Sequence, residues 1–165
     1  MTWYLRAAEA GNAEAQFTLG SMYRNGNGVA RNPAAAASWF EKAAVGDHAD
    51  SQFELAVLYC TGQGVPLDLA QALLWYERAA QLGHRLAQFN LAVMTAKGQG
   101  CEPDQDRAVF WLGRAAEAGL PEGVFNVVTG RGAVCGEALG LHTFRLERPG
   151  NSLRDVLRVV GLGRG

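Results

Sequence analysis

Apolar positions along this chain fall at the period of a helix, and they come in pairs of segments. In HADSQFELAVLYCTGQGV, starting at His48, residues Ser51, Leu55, Leu58 and Tyr59 recur at helical spacing. That periodicity predicts a first helix over residues 49–60, an A helix. After a break rich in glycine, LAQALLWYERAAQLG sets Ala72, Trp75 and Ala79 at i, i+3 and i+7, the single apolar stripe of a second, B helix.

The pair repeats. Trp3, Trp39, Trp75 and Trp111 stand 36 residues apart and are all the tryptophans of the chain. The alanine pairs Ala7-Ala8, Ala43-Ala44, Ala79-Ala80 and Ala115-Ala116 follow at a constant offset. A fixed period of about 20–50 residues marks stacked repeat architectures, in which one unit buries its apolar faces only against the next. Small alanines then permit close helix approach, and the pattern assigns one tryptophan per unit to the volume between layers. The expected fold is all-α, an α/α right-handed solenoid of helix-turn-helix repeats. A partial B helix occupies residues 1–11 and full repeats 12–47, 48–83 and 84–119. A partial repeat follows at 120–130, where Phe125-Asn126 opens one more A helix that breaks at Thr129-Gly130.

Boundary residues recur as well. Asn12, His48 and His84 stand where A-helix N-caps belong, and Asn32, Asp68 and Asp104 where B-helix caps belong. Asp68 with Gln71 has capping-box spacing, and Pro33 suits a first helical turn. The A helix ends in a two-glycine loop: Gly26 and Gly28, Gly62 and Gly64, Gly98 and Gly100. No third glycine completes a G-x-G-x-x-G spacing and no strand precedes it, so the loop is not read as a phosphate cradle. Gly11, Gly83 and Gly119 close the B helices, whereas the second unit has Gly46-Asp47, which implies a shifted or weaker cap.

Composition adds limits. The chain is 165 residues, 48% apolar and 19% charged with net charge −1, and offers no pointer to nucleic acid. It holds no apolar run long enough for a membrane span and no basic-then-apolar leader, so the compartment is unknown and cytoplasmic by default. Residues 131–165 differ: six arginines face Glu137, Glu147 and Asp155 there, and the register is lost. This tail reads either as a capping element with a short helix at 152–160 or as a disordered end. Cys60, Cys101 and Cys135 lack close pairing or metal spacing, which argues against a disulfide framework. Cys60 and Cys101 are read as small apolar packers. His48 and His84 recur one unit apart, but helices packed about 8–10 Å apart do not bring two ring nitrogens within about 2.1 Å of one ion. They are assigned as caps, and His142 has no visible partner.

The string from Ala13 to Val29, A-x-A-Q-F-x-L-G-x-M-Y-x-x-G-x-G-V, followed by A-x-x-W-F-x-K-A-A from Ala36 to Ala44, resembles the Sel-one-like repeat, a 36-residue relative of the tetratricopeptide repeat. Departures are few: Gly20 becomes Ala56 and Ala92, and Tyr23 and Tyr59 become Thr95. The resemblance implies a non-enzymatic adaptor that holds a protein or peptide partner, with no cofactor and no metal, on a concave face lined by the A helices. The candidate residues on that face are Glu14, Thr18, Ser21, Arg24 and Asn25; Asp50, Glu54, Val57 and Thr61; and Asn90, Val93 and Lys97. Two alternatives stay open. Cysteine-rich members of the family, with two cysteines paired in each unit, have been linked to β-lactam binding, which keeps a hydrolase-like reading in view. The start inside a repeat also fits a truncated fragment without independent function.

Overall fold

The computed structural model describes residues 2–119, and among them every regular element is an α-helix. The order is α1 (Thr2–Glu9), α2 (Ala13–Asn25), α3 (Pro33–Val45), α4 (Ala49–Thr61), α5 (Leu69–Gln81), α6 (Arg85–Lys97) and α7 (Gln105–Glu117). Helices α2, α4 and α6 are A helices; α1, α3, α5 and α7 are B helices. Each A helix packs on its own B helix and on the B helix before it, which makes an α/α solenoid. The partial repeat at 120–130, the short helix expected at 152–160, Cys135 and His142 lie outside the described residues.

The expected caps form. The side chains of Asn12, Asn32 and Asp68 accept the backbone N–H three residues on, and Asp104 does the same for Arg107 at 2.9 Å. Gly26, Gly62 and Gly98 end the A helices in the left-handed conformation. The second unit's B helix is capped in register after all. Asp47 itself takes φ +57°, one period from Gly11 at +90° and Gly83 at +87°. Aspartate is one of the few side chains that visit this region at tolerable cost.

The second loop glycine does more than turn the chain. A Cβ on Gly64 would sit 2.3 Å from the Pro33 carbonyl carbon, and one on Gly100 2.4 Å from the Leu69 carbonyl oxygen. The loop after each of these A helices therefore lies backbone-on-backbone against the start of the preceding B helix. Positive φ and this contact together hold both positions to glycine.

The tryptophans are placed differently from the sequence expectation. Trp3 is 79% exposed, Trp39 and Trp75 are half-buried, and only Trp111 is buried. After Trp39, Trp75 and Trp111 the next residue fills the core: Phe40 and Tyr76 have no exposed surface, and Leu112 is 1% exposed, whereas Tyr4 after Trp3 is 50% exposed. In α3 and α5 the stripe that faces inward is shifted by one position, because each is flanked by two A helices and its buried arc is wide. Trp39 and Trp75 lie at the edge of that arc, under Lys42 at 4.0 Å and Arg78 at 4.7 Å. Phe40 packs on Phe17 with ring centroids 5.8 Å apart, and Tyr76 on Phe53 at 5.7 Å. The paired alanines are as expected: Ala43, Ala44, Ala79 and Ala80 are all buried.

The layers are joined by a glutamine. Gln16 Nε2 donates to the Ala8 carbonyl at 2.9 Å, Gln52 to Ala44 at 3.0 Å and Gln88 to Ala80 at 3.1 Å. Each bond runs from a buried A-helix side chain to the last turn of the preceding B helix, at the second alanine of the pair.

A histidine reinforces two of these joints. Nδ1 of His48 accepts from Ser51 N–H at 3.2 Å, and Nδ1 of His84 accepts from Ala87 N–H at 3.1 Å. The Nε2 atoms stand 3.2 Å from Glu14 and Asp50 of the preceding A helices. The rings lie on Phe17 at 5.1 Å and Phe53 at 4.5 Å. This geometry demands the neutral tautomer with its proton on Nε2, because a protonated Nδ1 cannot cap. Cys60 is buried in the core cluster and Cys101 packs against it.

Two outcomes follow from these contacts. Tyr76→Ala should cost about 3–5 kcal/mol in chemical denaturation, while Trp3→Ala should change stability by less than about 0.5 kcal/mol; equal costs would return the tryptophan to the core role. Burial holds the His84 imidazole below its ordinary value, with Asp50 opposing that shift and Arg85 assisting it. The unfolded chain thus takes up the proton first, so this contribution is complete above about pH 6.5 and is lost as pH falls through the lowered folded value. Melting temperatures measured from about pH 7.5 down to 5.5 should fall less steeply for His84→Asn, which keeps a capping oxygen, than for the parent. Parallel profiles would show that His84 does not carry the effect.

Candidate functional site

The candidate surface is the face built by α2, α4 and α6, where equivalent positions of successive A helices lie side by side. The structure sorts the twelve residues singled out in the sequence into three groups. Glu14, Asn25, Asp50 and Lys97 are exposed. Thr18, Ser21, Arg24, Glu54, Val57, Thr61 and Asn90 are half-buried. Val93 is 1% exposed and belongs to the core, so its place on a binding face is corrected. Its periodicity is that of Val57, but the cluster around Phe89, Leu91 and Met94 encloses it.

Several half-buried members spend their polar atoms on the fold. Arg24 pairs with Glu54 across neighbouring A helices, and burial lowers the Arg24 value. The Thr18 hydroxyl donates to the Glu14 carbonyl at 2.9 Å, and that of Thr61 to Leu58 at 3.3 Å. The Asn90 side chain hydrogen-bonds the Tyr76 hydroxyl, whose value burial pushes up. Val57 packs against the core. The sequence spacing alone missed the charge partners of this layer: Glu14 with His48, Asp50 with His84, and on the opposite side Glu77 with Arg107. The signal was present, since Arg24–Glu54 and Glu77–Arg107 are both separated by 30 residues and the two histidine contacts by 34.

What remains outward on the A-helix face is a polar rim. It is acidic at the first turns of α2 and α4, through Glu14 and Asp50, and basic at the last turn of α6, through Lys97. Acids at helix starts and a cation at a helix end also suit the helix dipoles, so the rim carries little strain. The other side of the solenoid is more apolar: Leu74, Leu82 and Phe110 are exposed on or beside B helices. Among the described residues no cluster of three histidine, cysteine, aspartate or glutamate side chains is placed to hold a metal ion, and no helix is long and apolar enough to cross a membrane.

Comparison with known proteins now has a geometry to meet. No curated protein matches the chain. The family model for the Sel1 repeat matches residues 1–12, 13–47, 49–84 and 85–120. Among solved structures, the chain is similar to a Sel1 repeat protein from Oxalobacter formigenes, at 33% identity and a TM-score of 0.67, over 70% of this chain and 47% of that one. It is similar to a protective antigen of uropathogenic Escherichia coli strains displaying an SLR fold, at 30% identity and a TM-score of 0.73, over 98% of this chain and 32% of that one. This chain thus spans less than half the length of either. The cysteine rich protein B of Helicobacter pylori, at 21% identity and a TM-score of 0.58 over 73% of this chain and 86% of that one, shares the fold. Four tandem matches fall on the helices described above, and the chain belongs to the Sel1 repeat family.

Proposed function

We infer that this chain is a non-enzymatic adaptor that holds a segment of a partner protein across the face of α2, α4 and α6. Sel1 repeat proteins are generally scaffolds for protein–protein interaction. The observation that supports the reading here is a division of labour along the repeat. The alanine pairs of α3 and α5, the glutamines, and Phe40, Tyr76 and Leu112 are consumed in the seams between layers. Glu14, Asn25, Asp50 and Lys97 stay exposed on three successive A helices. A rigid row of polar side chains on adjacent helices recognises an extended or helical segment without large rearrangement, so binding costs little ordering on this side.

The rim predicts an electrostatic order for the bound segment: basic residues toward Glu14 and Asp50, an acidic residue toward Lys97. Complementary charges of this kind set register and orientation more than raw affinity. The test is a quadruple variant with Glu14, Asn25, Asp50 and Lys97 changed to alanine, compared with the parent for a partner that has been captured, identified and purified. The variant should stay cooperatively folded, with only the small stability loss expected from two exposed carboxylate contacts to His48 and His84, yet bind at least about tenfold more weakly. Equal affinity for both proteins would place the partner elsewhere on the solenoid.

A further inference from the structure

Four cations recur at one register position of the B helices. Arg6, Lys42, Arg78 and Arg114 each stand in the last turn, and all four are exposed. Three of them lie on an aromatic ring. Lys42 Nζ sits 4.0 Å from the Trp39 ring centre, and the guanidinium carbons of Arg78 and Arg114 stand 4.7 Å from Trp75 and 5.9 Å from Phe110. Among the described residues no carboxylate or carbonyl takes up the side-chain N–H groups of these cations. The other described arginines differ. Arg24 and Arg107 pair with Glu54 and Glu77, Arg31 bonds the Arg24 carbonyl and Gln63, and Arg85 bonds the carbonyls of Ala118 and Gly119. The helix dipole favours a positive charge at each B-helix end, but it does not call for a cation held on a ring with its donors unspent.

An apolar edge runs beside the cations. Leu74 and Phe110, one turn before Arg78 and Arg114, are 51% and 55% exposed. Leu74 stays exposed although α5 is packed between α4 and α6, so the edge belongs to the outer face of the array and not to either end. We propose that this edge of α3, α5 and α7 is a docking surface for an acidic amphipathic helix of a partner protein. Its carboxylates take the side-chain N–H groups of Lys42, Arg78 and Arg114, and its apolar side covers Leu74 and Phe110. A guanidinium stacked on a ring keeps its N–H edge free, the geometry that receives a carboxylate through two parallel bonds. Stacking also orders the side chain before the partner arrives, so less rotamer freedom is lost on binding. Successive B helices are joined through one A helix, a step of two packing distances, about 16–20 Å. Carboxylates roughly three to four turns apart on one helix match that step. Exposed Glu41 and Glu117 stand among the cations, and the chain carries a net charge of −1. A continuous polyanion such as a nucleic acid or an anionic lipid surface is repelled there, whereas separate carboxylates are not.

The probe is a fluorescein-labelled peptide about 24 residues long, roughly 36 Å as a helix, in which pairs of glutamates alternate with alanine–leucine pairs. Titrated with the full chain at low salt, its anisotropy should rise to saturation. Changing Lys42, Arg78 and Arg114 together to alanine should weaken binding at least about tenfold while the chain stays cooperatively folded. Arg78→Lys with Arg114→Lys keeps the charges but loses the planar fork, and should recover only part of that loss. Leu74→Ser, which copies Ser38 of the preceding unit, should weaken binding at least about threefold. Absence of saturable binding overturns the proposal, as does equal binding by the triple variant. Tighter binding of duplex DNA or of phosphatidylglycerol vesicles, lost in the triple variant, also overturns it and gives the edge to a nucleic acid or a membrane. The chain with Glu14, Asn25, Asp50 and Lys97 changed to alanine should hold the peptide as the parent does. Loss of binding there would move the peptide to the A-helix rim, so this proposal and the adaptor reading fail separately.

Discussion

The hydrogen bond from a buried A-helix glutamine to the last turn of the preceding B helix is the contact on which the stacking depends. A carbonyl near a helix end has no partner within the helix. At each seam a cap N–H donates to it, from Gly11 at 3.1 Å, Asp47 at 3.3 Å and Gly83 at 3.0 Å, and a side chain of the next layer donates to its second lone pair. Gln16, Gln52 and Gln88 do so at equivalent positions, onto Ala8, Ala44 and Ala80. The bond also fixes register, since a slip of one residue would leave a buried amide donor unpaired. Around it the rest follows. The carbonyls belong to alanines, whose small side chains let the glutamine approach. Phe40, Tyr76 and Leu112, each following a tryptophan, fill the space this approach leaves, and the second loop glycine lets the connecting loop close onto the previous unit.

The same arrangement explains why charge sits where it does. Once the seam is dry, titratable groups are confined to its margins. The histidine caps there bridge two layers, each serving its own helix through Nδ1 and the preceding A helix through Nε2. Arg24–Glu54 and Glu77–Arg107 do comparable work on the two sides of the solenoid. Exposed pairs of this kind contribute modestly to stability. Their consequence for function is subtractive: Arg24 and Glu54, which periodicity alone assigns to a partner, are occupied by each other, whereas Glu14, Asn25, Asp50 and Lys97 remain solvent-exposed, the two carboxylates while also touching the histidine caps.

The period, the helix pairs and nearly every cap were legible in the sequence because they depend on local chemistry that recurs every 36 residues. Asn32 or His84 can be recognised as a cap without knowing what packs on the helix. The tryptophan was misassigned for the opposite reason. Size and recurrence mark Trp39 and Trp75 as packing residues, but which side of a B helix is enclosed depends on the two A helices that flank it, and that is tertiary information. Val93 failed in the same way: equivalent in register to the half-buried Val57, it is enclosed by Phe89, Leu91 and Met94. Asp47 shows the converse. Its residue type looked like a broken pattern, yet the backbone kept the register and imposed φ +57° on it.

The most direct test of this account is the stability of Gln52→Glu against the parent, measured by chemical denaturation across pH. Glutamate preserves size and shape but replaces the buried donor with an acceptor that ionises. With the Ala44 carbonyl facing it and no surface exposed, the variant should lose at least about 2 kcal/mol near pH 8. Burial raises the folded value of the new carboxyl, so the deficit relative to the parent should shrink as the pH falls and the protonated acid donates in the amide's place. A variant within about 0.5 kcal/mol of the parent at pH 8 would contradict the claim that this bond holds the layers together.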